Sequence, residues 1–280
     1  MKHIFLNLKR FDVPAKLGGV NRIATQENWA EHIISGIENE LSSYKEELAE
    51  FTIFWPELHI LEAAKRLKNQ SHIRTGSQAV FCEDISQGGN FGALTTHRPA
   101  AAMLAAGCEY TIIGHCEERK YLEYVIREGG GNDIEAVSRI LNREIVHAME
   151  RGLKVLYCIG EKSEEQENWQ GVLGRQLEIG LKGADLEKLV IAYEPIWSIG
   201  PGKQPADKPY IEKIASFIKE KTGGVPVVYG GGLKQDNAAM LASIGEIDGG
   251  LIALTRFSGE IGYYPDEYLA IVRSYLEAVK

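Results

Sequence analysis

Short apolar runs recur along the chain, separated by longer segments in which apolar residues return every three or four positions. A short apolar run bounded by polar or glycine residues is typical of a buried strand. We count eight such runs, at residues 3–8, 51–55, 73–80, 109–113, 154–158, 189–194, 225–229 and 249–254. The pattern therefore predicts eight strands.

The segments between these runs have the period of amphipathic helices. The clearest are residues 28–44, 58–69, 97–107, 133–152, 209–223 and 264–280. Strand and helix alternate about eight times, which is typical of an α/β protein with a (β/α)₈ barrel. A doubly wound open sheet is the competing arrangement. We see no break in the alternation, so we expect residues 1–280 to form a single domain.

Composition and charge narrow the classes of partner. The chain is 44% apolar with a formal net charge of −8, and its basic residues are dispersed, so we expect no nucleic-acid partner. No apolar run is long enough to span a bilayer, and the N-terminal segment is too weakly apolar for a signal peptide. The four cysteines have no paired metal-ligand spacing. We expect a cytoplasmic protein with reduced thiols, no membrane partner and no metal.

Side chains capable of chemistry directly follow several predicted strands. In a (β/α)₈ barrel the C-terminal strand ends build the active site. The candidates are Asn7 and Lys9, residues 114–117, Glu194, residues 230–232 and residues 253–256. Each has an ordinary explanation when taken singly: Lys9 as a solvated charge, His115 as a satisfied core residue, Glu194 as a cap, and the glycines as a tight turn. Their convergence at one rim favours an active site.

Several of these motifs resemble those of the triosephosphate isomerase family, in that family's order and at about its spacing. They are "NLK" at 7–9, "IIGHCEER" at 112–119, "CIGE" at 158–161, "YEPIWSIGPGK" at 193–203 and "YGGG" at 229–232. A glycine turn alone would be weak evidence, but ordered motifs on successive strand ends are specific. The resemblance covers nearly the whole chain and implies a TIM barrel.

The resemblance implies roles for five residues. Glu194 is the expected base that removes a carbon-bound proton, and His115, kept neutral near a helix N-terminus, polarises the carbonyl and moves protons between the two oxygens. Lys9 supplies a fixed positive charge, Glu117 pairs with Lys9, and Asn7 donates a hydrogen bond to a substrate oxygen. No cofactor is implied.

The same resemblance implies a phosphate site and a closing loop. Gly200 lies in the segment expected to close over substrate, with its backbone N–H turned to the phosphate. Gly231 and Gly232 form the turn after the seventh strand and are expected to bind the phosphate as well.

The chain departs from the family pattern at several positions. After the eighth strand the family carries two glycines, whereas this chain has Ala253 and Leu254, followed by Thr255 and Arg256. We expect the backbone of Ala253 and Leu254 to bind phosphate still, and Arg256 either to fork onto the phosphate or to remain a solvated rim residue.

Two further departures concern the third loop, by which the family's subunits contact each other, and the residue at position 118. The family's Thr-Gly-Glu in the third loop is replaced around Phe91, and Glu118 replaces an arginine. The resemblance still implies a homodimer, and the apolar residues around Phe91 favour burial of this loop.

The leading functional hypothesis is a glycolytic and gluconeogenic isomerase that interconverts D-glyceraldehyde 3-phosphate and dihydroxyacetone phosphate through an enediolate. The alternative is an isomerase of a four-carbon ketose phosphate of the erythrulose phosphate type, in sugar-alcohol catabolism. A non-catalytic phosphate-binding protein is less favoured because Lys9, His115 and Glu194 occur together. A Schiff-base aldolase is less favoured because nothing obvious in the sequence activates Lys9 as a nucleophile.

Overall fold

Eight parallel strands close into a barrel in the computed structural model, which describes residues 1–68, 72–199, 203 and 205–279. Neighbouring strands pair in sequence order, and β1 pairs with β8. The strands are β1 (Lys2–Asn7), β2 (Ala49–Trp55), β3 (Ile73–Gln78), β4 (Tyr110–Ile113), β5 (Lys154–Ile159), β6 (Leu189–Tyr193), β7 (Val227–Tyr229) and β8 (Gly249–Ile252). The predicted barrel is confirmed, and the open sheet is excluded.

The helices lie between the strands, on the outside of the barrel. Over the described residues they are α1 (Trp29–Leu41), α2 (Ile60–Leu67), α3 (Ala100–Ala105), α4 (Cys116–Glu128), α5 (Glu135–Glu150), α6 (Trp169–Gly180), α7 (Lys208–Thr222), α8 (Ala238–Ala242) and α9 (Pro265–Ala278). None of these helices has both the length and the apolar content needed to cross a membrane.

Alternation along the strands divides the core into two layers. Phe5, Phe54, Tyr110, Leu156 and other inward-facing residues fill the barrel interior. The intervening strand residues face outward and pack against the helices in a second, larger cluster. Because the interior is filled by side chains, function is confined to the rim of the barrel.

A pair of carboxyl groups lies between α4 and α5, beneath the loop that follows β4. Glu144 on α5 is 5% exposed, and burial together with the charge of Glu118 on α4 raises the pKa of Glu144 to about 10. Burial also raises the pKa of Glu118, whose carboxylate accepts a hydrogen bond of 2.5 Å from the backbone N–H of Gly114. The replacement of the family's arginine by Glu118 therefore places an acid pair beside the site loop.

This pair predicts a specific dependence of stability on pH. The pKa of Glu144 rises from 4.5 to about 10 on folding, so the folded state holds the proton more tightly. The contribution of Glu144 to stability is fully present below pH 4.5 and is lost as pH rises towards 10, by at most about 1.4 kcal/mol per pH unit. Glu144→Gln removes this loss. The free energy of unfolding of the variant, relative to that of the parent, should therefore increase between about pH 7.5 and about pH 9.5.

The matched control is Glu150→Gln, because Glu150 lies on the same helix with its side chain 64% exposed. Denaturant unfolding at several pH values should show a constant difference between this control and the parent. A constant difference for Glu144→Gln as well would contradict the raised pKa.

Candidate functional site

The five predicted catalytic residues lie together at the C-terminal rim of the barrel. Four of them, Asn7, Lys9, His115 and Glu117, line a cavity of about 680 Å³, and Glu194 contacts His115 from the end of β6. The contacts run without interruption from Asn7 through Lys9 and Glu117 to His115 and Glu194. This arrangement combines a cation, an imidazole and two carboxylates in one region.

Lys9 and Glu117 form an ion pair across the rim. Lys9 Nζ lies 2.7 Å from Glu117 Oε1. Burial would raise the pKa of the Glu117 carboxyl, but the hydrogen bond and charge of Lys9 outweigh burial and lower it. Lys9 has a positive φ of 41°, and the side chain of Asn7 accepts a hydrogen bond of 3.0 Å from its backbone N–H. Asn7 therefore holds the turn that directs Lys9 towards Glu117.

Gln78 is a residue of this region that the sequence reasoning did not identify. It lies at the end of β3, and its Nε2 donates to the backbone oxygen of Lys9 at 3.0 Å and to Asn7 Oδ1 at 3.3 Å. The amide thus ties the turn after β1 to the neighbouring strands.

His115 caps the N-terminus of α4, and this contact determines where its proton lies. Its Nδ1 accepts a hydrogen bond of 3.3 Å from the backbone N–H of Glu117. In a neutral imidazole the other nitrogen, Nε2, must then carry the hydrogen. The ring consequently presents an N–H donor at Nε2 on the side of Glu194.

Glu194 is a nearly fully buried carboxylate with two polar contacts. It is 1% exposed, its Oε2 accepts a hydrogen bond of 2.9 Å from the backbone N–H of Cys116, and its Oε1 lies 3.5 Å from His115 Nε2. Burial raises the pKa of Glu194, and the contacts with His115 and the N–H of Cys116 only partly oppose this rise. A carboxylate in such a place is a stronger base than one in water.

The described part of the chain also brings His115, Cys116 and Glu194 close enough to suggest a metal site, with ligand atoms within 4.8 Å of one another. The imidazole argues against that use. Metal binding at Nε2 would move the hydrogen to Nδ1, where it would oppose the N–H of Glu117. The geometry therefore favours proton transfer at this position over metal coordination.

Glu161 is a second residue that the sequence reasoning left without a role, although it belongs to the quoted "CIGE" motif. Its side chain is buried and accepts hydrogen bonds from Tyr193 at 2.9 Å, Trp197 at 2.7 Å and Tyr210 at 3.1 Å. Burial raises the pKa of Glu161, while these hydrogen bonds oppose the rise. Glu161 thereby anchors the chain on both sides of Glu194.

The glycine turn after β7 passes close to Glu194. A Cβ added at Gly230 would lie 2.7 Å from Glu194 Cγ, so a larger residue would displace the carboxylate. Gly232 has a φ of 96°, a conformation that favours glycine. Gly231 and Gly232 are both half-buried at the rim, where the predicted phosphate site lies.

In the loop after β8, Arg256 contacts a carboxylate and an aromatic ring. Its Nε and one terminal nitrogen donate to Glu267 Oε1 at 2.7 and 2.6 Å, and its guanidinium carbon lies 3.8 Å from the centre of the Tyr264 ring. Bidentate binding of phosphate by Arg256 would require the ion pair between Arg256 and Glu267 to break. Ala253 and Leu254 are half-buried beside it. Gly200, also predicted to bind phosphate, lies outside the described residues.

Comparisons with known proteins agree with this architecture. The family model described as triosephosphate isomerase matches residues 22–272. The triosephosphate isomerase of Geobacter metallireducens is 35% identical over 210 residues, which cover 70% of this chain and 76% of that protein. The corresponding protein of Chlorobium luteolum is 36% identical over 211 residues, with the same coverage of 70% and 76%.

A solved structure gives the same result for the fold. The triosephosphate isomerase of Bartonella henselae superposes with a TM-score of 0.69 at 26% identity, over 98% of each chain. The chain belongs to the triosephosphate isomerase family.

Proposed function

We propose that this chain is an aldose–ketose isomerase that interconverts D-glyceraldehyde 3-phosphate and dihydroxyacetone phosphate, a reaction of glycolysis, with residues 1–280 acting as one barrel domain. The observation that supports the proposal most directly is the contact between Glu194 and His115. The Glu194 carboxylate is 1% exposed and lies 3.5 Å from the imidazole nitrogen Nε2 of His115. The Lys9–Glu117 ion pair stands beside them.

Glu194 is the base in this proposal. The proton next to a carbonyl is weakly acidic, so its removal needs a carboxylate that is poorly solvated and correctly placed. Burial supplies the first condition, and the N–H of Cys116 fixes the orientation of the carboxylate. Removal of the proton produces an enediolate, and the protonated carboxyl then returns the proton to the neighbouring carbon.

His115 and Lys9 stabilise the negative charge that develops on the substrate oxygens. The Nε2–H of His115 donates to the carbonyl oxygen and transfers protons between the two oxygens, because its Nδ1 is already occupied by the N–H of Glu117. Lys9 forms an ion pair with Glu117. An ion-paired lysine is a poor nucleophile, so this geometry favours isomerisation over a Schiff-base mechanism.

The substrate of this chain is inferred from its relatives. Each relative described above carries the name triosephosphate isomerase, which supports a three-carbon sugar phosphate and gives no support to the four-carbon alternative. Ala253 and Leu254 do not alter this inference, because their side chains change the distance between the backbone and a phosphate rather than the class of substrate.

The first prediction from this proposal concerns Glu194. Glu194→Gln keeps the size of the side chain but removes the base, so kcat should fall by roughly 10²-fold or more while KM changes little. The measurement is a coupled assay of dihydroxyacetone phosphate formation, with Glu187→Gln, an exposed residue at the opposite end of the barrel, as the matched control. A kcat of the Glu194 variant within a few-fold of the parent would refute the assignment.

We further propose that the chain forms a homodimer through the loop between β3 and α3. Phe91, at the tip of this loop, is 89% exposed and lies between Gly88 and Gly92, which have positive φ values. An exposed aromatic side chain on a projecting loop is unfavourable in water and favours burial in a partner. The site cavity has a volume of about 680 Å³, and its wall includes residues 78–82 and 96–98. In a second copy of the chain, this cavity is the recess that would receive the Phe91 loop.

The dimer proposal predicts that Phe91→Glu weakens self-association. Light scattering at about micromolar concentrations should give twice the chain mass for the parent and a single chain mass for the variant, because a buried charge without a partner is strongly unfavourable. Leu186→Glu is the control, since Leu186 is 41% exposed at the other end of the barrel. A parent that remains a single chain would contradict the proposal.

A further inference from the structure

We infer that Lys234 is a phosphate-binding residue of this site and provides the charge that the sequence had suggested for Arg256. The inference rests on the proposed function, because it identifies the cation that faces the phosphate end of the substrate. It is carried by the position of the lysine side chain between the loops after β7 and β8.

The stem of Lys234 folds back over the glycine turn. Its Cε lies 3.6 Å from the point at which a Cβ would stand on Gly232. The backbone N–H of Lys234 donates to Asn237 Oδ1 at 2.8 Å, and Asn237 Nδ2 donates to the backbone oxygen of Gly232 at 2.9 Å. These bonds hold the turn and the lysine as one unit, so the side chain is directed over the predicted phosphate site.

The ammonium group of Lys234 ends on the loop after β8. Its Nζ lies 4.3 Å from the centre of the Phe257 ring, and the ring is 52% exposed. A cation on an exposed aromatic face is stabilised only weakly, and less than by a charge-assisted hydrogen bond to an oxyanion. The ammonium can therefore leave the ring for a phosphate oxygen when substrate binds.

Two cations of this region, Arg256 and Lys9, are already engaged with carboxylates. Arg256 is bound to Glu267, and Lys9 is bound to Glu117. Within the described part of the chain, Lys234 lies within 4.0 Å of no carboxylate oxygen, and its ammonium contacts the Phe257 ring instead. A phosphate in this region could therefore bind Lys234 without breaking an ion pair, whereas binding to Arg256 or Lys9 would require one to break.

The residues of the loop after β8 explain why a lysine would be needed to bind phosphate here. Glycines would allow the backbone to approach the phosphate closely, whereas Ala253 and Leu254 carry side chains that increase the separation. A lysine has a long flexible stem and three donors, so it can span a larger separation than a backbone N–H. Lys234 thus compensates for the loss of the glycine pair.

The decisive variant is Lys234→Gln, which removes the charge and keeps most of the stem. Loss of one charge-assisted contact should raise KM for dihydroxyacetone phosphate by about 10-fold or more and leave kcat within about threefold. Lys234→Arg, which retains a cation, should restore most of the affinity. Lys188→Gln, at the opposite end of the barrel, is the control for a change in net charge.

Binding of inorganic phosphate, measured by titration calorimetry, tests the inference independently of turnover. The dissociation constant of phosphate should rise by about 10-fold or more in Lys234→Gln and stay within about threefold of the parent in Lys234→Arg.

If the parent binds phosphate but isomerises no triose phosphate, the proposed function fails while the phosphate measurement still tests Lys234. Unchanged phosphate affinity in a folded Lys234→Gln protein, verified by circular dichroism, would overturn the inference. If that variant does not fold, equal weakening in Lys234→Met would support it and unchanged affinity there would overturn it.

Discussion

A carboxylate placed in the interior of a protein is unfavourable unless other groups replace the water it has lost. Glu194 is in this position, and the arrangement of the rim follows from it. The N–H of Cys116 and the imidazole of His115 contact its two oxygens, but burial still dominates and raises its pKa. The incomplete compensation is what leaves Glu194 with a tendency to take up a proton, which is the property that the proposed chemistry requires.

The surrounding structure holds this balance in place. The first turn of α4 provides both the N–H that contacts Glu194 and the N–H that fixes the tautomer of His115, so one helix terminus orients the base and the proton donor together. Glu161 secures the chain on both sides of Glu194 through Tyr193 and Trp197. The absence of a side chain at Gly230 leaves room for the carboxylate.

The barrel and the proposed catalytic group could be predicted from sequence because both depend on local patterns. All eight predicted runs overlap observed strands, and strand ends in a barrel necessarily converge. Helix α4 was not among the clearest periodic segments, since none of its residues is fully buried and the apolar period is weak. Arg256 and Lys234 could not be assigned, because their directions depend on Glu267 and Phe257, which the folded chain brings to them.

The central claim is that Glu194 transfers a carbon-bound proton that can exchange with solvent. The most direct measurement is proton NMR of dihydroxyacetone phosphate incubated with the parent enzyme in deuterated water. The account predicts that one hydrogen on the carbon next to the carbonyl is replaced by deuterium, and that the aldehyde product formed also carries deuterium at the carbon next to its carbonyl. Isomerisation without any incorporation of deuterium would show that the transferred hydrogen does not exchange with solvent, and would contradict the central claim.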